Sequence, residues 1–123
     1  MKKYSEKELH LLNIQLGCIL RLARLKKGLS QHSLSLMLNS NPTMVGRVER
    51  FENVSGWDKI YTISQILDVE FCALFVLKSK SDLLSIVDES VNLEDKLTKE
   101  KRGYYSFLKR TITNKYNSIE NSV

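Results

Sequence analysis

Residues 29–52, LSQHSLSLMLNSNPTMVGRVERFE, constrain the fold of this chain more than any other stretch. Two short segments with helical spacing of apolar residues meet at an Asn-rich corner, and the second opens with Asn41 and Pro42. Ser30 is placed to cap the first segment, with Leu34, Met37 and Leu38 facing inward. Asn39 stands where the chain must turn sharply, and asparagine tolerates the left-handed backbone better than most residues. Asn41 then supplies an N-cap, and Pro42 takes the first helical position, where its missing amide hydrogen costs nothing. Val45 and Val48 mark the buried side of this helix.

The flanking sequence extends the helical pattern in both directions. Ser5 and Glu8 have the spacing of a capping box, in which a hydroxyl and a carboxylate each satisfy a free amide at a helix start. Behind them Leu9, Leu12, Leu16, Leu20 and Ala23 recur at helical spacing, and Gly28 follows Lys26 and Lys27 as a left-handed stop. One long helix over about 6–27 is predicted. Ser55 with Asp58 three residues on starts a fourth helix, with Trp57, Ile60, Ile63, Ile66 and Leu67 as candidates for its inner face. Val69, Phe71, Leu74 and Phe75 suggest a short fifth helix that closes the core. Strand alternation and a βαβ rhythm are both missing, so residues 6–77 are expected to form an all-α domain of five helices. Residues 78–92 read as a polar linker, KSKSD, followed by a short helix of Leu83, Ile86, Val87 and Val91. Asn92 is then expected to cap a longer amphipathic helix over 93–119, with Leu97, Tyr104, Leu108, Ile112 and Tyr116 near one face.

Composition narrows the class. A chain of 123 residues holds one compact core with extensions rather than two independent domains. The longest apolar run, 71–77, is far too short to span a bilayer, and MKKYSEKELH lacks the apolar core of a secretory signal. A cytoplasmic protein is expected. Cys18 and Cys72 lie far apart with no clustered histidines, so both read as free thiols, and neither a zinc site nor another cofactor is expected. His10 and His32 have no ligand spacing and read as ordinary surface or packing residues. Neither a nucleophile-base group, a paired-carboxylate motif nor a glycine phosphate loop is found, so the chain does not read as an enzyme. The net charge of +5 favours an anionic partner, although solvated faces of ordinary domains carry as much.

Over residues 16–75 the chain resembles the phage-repressor and Cro family of XRE-type helix-turn-helix regulators. The resemblance rests on LG..L.R.AR..KGLSQ, the spaced Leu34 and Leu38, V..VER and the closing LDVEFCALF, all in register. It implies a DNA-binding regulator, a dimeric repressor, in which helix 42–50 reads the major groove of double-stranded DNA. By the same resemblance Pro42, Thr43 and Arg47 face base edges, with Pro42 contributing shape only. Gln31, Lys27, Arg50 and Asn41 fall where phosphates are contacted, and Arg24 and Glu49 take the places of an ion pair that ties the first helix to the third. The chemistry of Arg47 suits this independently, because a guanidinium matches guanine O6 and N7 with two parallel hydrogen bonds. The plainer reading of Arg47 is a solvated helix residue.

Three positions depart from the family pattern. Gly46 lies inside the reading helix, where it costs roughly 1 kcal/mol relative to alanine. Either that helix is soft, or the bare backbone admits a phosphate or a neighbouring helix. Phe51 replaces a small stop residue, and the proline before the fourth helix is missing.

The segment 93–119 has two readings. In the favoured one it forms a homodimer and spaces two reading helices about 34 Å apart, one turn of duplex. Tyr104, Tyr105 and Phe107 favour it, as more apolar surface than one short domain readily covers. In the other reading it folds back on its own first and fifth helices. An alternative function is an antitoxin or anti-regulator that binds a protein partner through this helix. Its excess of lysine and arginine also suits phosphate contacts, whereas its tyrosines and acids suit a membrane surface poorly, so no membrane partner is expected.

Overall fold

The computed structural model describes residues 5–52 and 56–120. Among the described residues the chain is all-helical: α1 (Glu6–Lys26), α2 (Gln31–Met37), α3 (Pro42–Glu49), α4 (Trp57–Ile66), a 3-10 turn (Cys72–Phe75), α5 (Lys80–Leu93) and α6 (Lys99–Glu120). None of these helices is long and apolar enough to cross a membrane.

Local chemistry accounts for the helix starts. The Ser5 hydroxyl accepts from the Glu8 amide, Ser30 from the Ser33 amide at 2.9 Å, and the Asn41 side chain from the Thr43 amide at 3.0 Å. Each satisfies an amide that has no partner inside its helix. Gly28 with φ 69° ends the first helix region, and Asn39 with φ 51° makes the reversal between α2 and α3. Gly56 takes the N-cap of α4; Ser55, the expected cap, lies outside the described residues.

Two apolar cores share α1. Leu16 and Leu20 of α1 pack with Leu34, Val45, Val48, Ile60, Ile63 and Leu74 in the first. Leu11, Ile14 and Cys18 pack with Leu83, Val87, Tyr105, Leu108 and Ile112 in the second. The middle of α1 is therefore buried on nearly every side, including Gln15 and Gly17.

Several expectations need correction. Met37 is 56% exposed and Trp57 72% exposed, although their spacing placed both inward. Each stands at a helix end, beyond the reach of the core that takes Leu34 and Ile60. Leu9 in the first turns of α1 is exposed for the same reason. Phe75, too, is turned outward, and the fifth helix is a 3-10 turn.

The polar KSKSD stretch begins α5: the Ser79 hydroxyl accepts from the Asp82 amide, and the helix continues for 14 residues through Asn92 to Leu93. Packing of Leu83 and Val87 on α1 outweighs the polar, linker-like composition. Asn92 therefore caps nothing. The last helix starts at Lys99, where Thr98 accepts from the Lys101 amide, and Glu94 and Asp95 fall in the connection before it. α6 folds back on α1 and α5, burying Tyr105, Leu108, Ile112 and Tyr116 within the chain. Of the aromatic trio expected at a dimer interface, Tyr105 is buried, Tyr104 half-buried, and Phe107 exposed.

Gln15 locks this arrangement. Its amide donates to the carbonyls of Leu74 and Val76, at 3.1 and 2.9 Å, while its oxygen accepts from the Lys78 amide at 2.8 Å. Gln15→Leu preserves approximate size but strands these three backbone groups. A loss of about 2 kcal/mol is expected in urea unfolding, with the helical circular dichroism of the native state retained.

Candidate functional site

The candidate site is built on α3, whose two sides differ sharply. Val45, Val48 and Glu49 are buried, whereas Asn41, Thr43 and Arg47 are exposed. Thr43, Arg47 and Arg50 follow one another at spacings of four and three, which places them along one stripe of the helix. The Arg47 side chain makes no hydrogen bond or ion pair with any described residue, so its guanidinium stands open to solvent. The Thr43 hydroxyl donates to the Asn41 side chain at 2.8 Å, and the residue is exposed.

The buried side is held by charge. Arg24 Nε lies 2.6 Å from Glu49 Oε2, and its Nη2 donates to Glu49 Oε1 at 3.1 Å. Gln31 Nε2 donates to the same Oε1 at 3.0 Å, so the start of α2 is tied to the end of α3. Arg24 Nη1 also reaches the Leu29 carbonyl at 2.7 Å. These contacts tie α2 to α3 through the buried Arg24 and Glu49 and the half-buried Gln31.

Arg21 is a member of this cluster that the sequence reading missed. Its Nε donates to Glu49 Oε1 at 3.3 Å, and its Nη2 donates to the Glu49 backbone carbonyl at 3.0 Å. That carbonyl belongs to the last turn of α3, where a cation is favoured by the helix dipole. The guanidinium carbon lies 4.9 Å from the Tyr104 ring centroid and 5.5 Å from that of Tyr105, close enough for cation–π attraction. Burial by itself disfavours the Arg21 charge, but Tyr104 and Glu49 beside it hold its pKa above the ordinary arginine value. The available signal was its position one turn before Arg24, on the same face of α1.

The remaining predicted residues divide. Arg50 pairs with Glu52 at 3.0 Å, at the edge of the exposed stripe. Lys27 pairs with Asp68 at 2.7 Å, which ties the end of α1 to the turn after α4. Both pairs are open to solvent and hold their lysine or arginine only weakly. Gly46 has a specific role: a β-carbon there would stand 2.9 Å from Arg50 Nη1 and 3.3 Å from Gln31 Oε1. The bare backbone thus leaves room for both side chains over α3.

Neither cysteine belongs to the site. Cys18 is buried in the second core, and burial pushes its thiol up to about 12, while Cys72 is an exposed free thiol. No group of histidine, cysteine or carboxylate side chains among the described residues is arranged to hold a metal ion. Comparisons with protein-family models, curated proteins and solved structures found no match to this chain.

Proposed function

We propose that this chain is a sequence-specific DNA-binding regulator of the repressor and Cro type, in which α2 and α3 form a helix-turn-helix. The supporting observation is the division of α3. Its solvent face carries the exposed Arg47 and Thr43, while its inner face is clamped through Glu49 to α1 and α2. A helix fixed so firmly, with its amino-terminal end left open, suits insertion into the major groove. Arg47 then reads a guanine, Thr43 and Pro42 shape the contact, and Gln31, Asn41 and Arg50 meet phosphates. Lys27 reaches a phosphate only by giving up Asp68, a small cost for an exposed pair.

Two copies on a near-palindromic site complete this reading. The apolar stripe of α6 is spent within the chain, so Phe107 is the main apolar group that this helix can offer a second copy.

The test is selection of bound duplexes from a random DNA pool, run in parallel for the wild type and for Arg47→Ala. The wild type should enrich a symmetric motif. Arg47→Ala should lose discrimination at one base of each half-site, by about 1 to 3 kcal/mol, while retaining most of its affinity for unrelated duplex. No enrichment of any duplex at low salt would reject the proposal, and an unchanged motif in the variant would remove Arg47 as the reader.

A further inference from the structure

Apolar surface gathers on the face formed by α4 and the 3-10 turn. Tyr61, Phe71 and Phe75 make a ladder of edge-to-face rings, with centroids 5.4 and 5.1 Å apart. Trp57 extends it, one turn before Tyr61 on the same side of α4. In the same 3-10 turn Cys72 and Ala73, with Val76 and Leu77 after them, line an open groove of about 550 Å³. Trp57 and Val76 are 72% and 68% exposed, and Tyr61, Phe75 and Leu77 lie between 37% and 46%. Apolar surface of this extent is uncommon on a protein that works alone.

Area, shape and charge all fit a second copy of the chain. With about 200 Å² for a large side chain, these exposures leave on the order of 500 Å² of apolar surface, so two copies face to face bury roughly 1,000 Å², the lower bound for a specific pair. The ladder is a ridge and stands next to a groove, and a patch that recognises itself about a two-fold axis must supply both. Its rim carries both signs: Lys59 and Lys78 stand with Asp58, Glu70 and Asp82, two cations against three anions. In a chain of net charge +5, such a rim lets a copy meet its like without cationic repulsion. The apolar stripe of α6, by contrast, is already covered within the chain.

We propose that this face binds a second copy of the chain in a two-fold arrangement, the aromatic ladder of each copy entering the groove of the other. Trp57 is the anchor, and the rim lysines of one copy meet the carboxylates of its partner. The small area makes the dimer a weak one, with a dissociation constant in the micromolar range. None of these residues belongs to α2 or α3, so the pair uses no group assigned to DNA. The pairing does not depend on DNA binding and is tested without DNA.

The experiment is sedimentation velocity on the full chain from micromolar to near-millimolar concentration, with the fluorescence of Trp57, the sole tryptophan, followed over the same series. A monomer-dimer equilibrium should appear. The emission should move to shorter wavelength with the same dissociation constant, as the indole ring leaves water. Trp57→Lys and Val76→Lys, both at exposed positions, should each weaken the dimer by about tenfold or more. Phe107→Lys on α6 should leave it unchanged. A chain that is monomeric at every concentration overturns the proposal, as does growth into larger assemblies. So does a dimer whose Trp57 emission stays constant, or one that Phe107→Lys weakens while the Trp57 and Val76 variants leave it intact.

Discussion

Glu49→Ala should cost about 3–5 kcal/mol, the largest loss expected of any single substitution in this chain. The carboxylate is 2% exposed and accepts from Arg21, Arg24 and Gln31 together. Its removal strands two guanidiniums in a space that water barely enters, and the penalty of an unpaired buried charge greatly exceeds the net worth of an intact pair. Urea unfolding followed by circular dichroism measures the loss. The double variant Glu49→Ala with Arg24→Met separates the two contributions. It should recover part of the stability, because one orphaned charge is gone, and only Arg21 remains without its partner. A midpoint for Glu49→Ala equal to that of the wild type would contradict the buried cluster.

Gly17→Ala should come next, at about 3 kcal/mol. A β-carbon at this position would stand 2.7 Å from the backbone oxygens of both Val48 and Glu49. These atoms belong to the last turn of α3 and cannot move aside as a flexible side chain could. Alanine is ordinarily the better helix former by about 1 kcal/mol, so the expected loss is what remains after that gain is subtracted. The displaced element is α3 itself. Thermal unfolding should therefore show a lowered midpoint, and amide chemical shifts should change most at residues 45–50. Gly46→Ala makes a useful contrast: its nearest obstacle is the mobile tip of Arg50, so a much smaller loss is expected.

These two substitutions also mark where the sequence could be read and where it could not. The caps at Ser5, Ser30 and Asn41 are legible, because each places a side-chain acceptor two or three residues before an unpaired amide. The reversal at Asn39 is legible from backbone sterics alone. Arg24 and Glu49 were named through a family resemblance, and the structure sets them 2.6 Å apart. Arg21 was hidden, since an arginine on a helix is normally solvated, and it is enclosed by Glu49 of α3 together with Tyr104 and Tyr105 of α6. Gly17 was hidden too, for a close helix crossing leaves no periodic trace.

The boundaries that went astray share a cause. Ser79, Asn92 and Thr98 all resemble helix caps in sequence, and the choice among them falls to Leu83, Val87 and Leu108 as they dock on α1. Trp57 and Met37 show the converse. Their spacing satisfies a helical face, but spacing carries no information about where the core ends.

α1 supplies one wall to each of the two apolar interiors. Neither interior is closed without it, so a chain cut between the 3-10 turn and α5 would leave Leu11, Ile14 and Cys18 facing water. The two halves of this molecule have a single thermodynamic fate: melting either one bares a flank of the beam that supports the other.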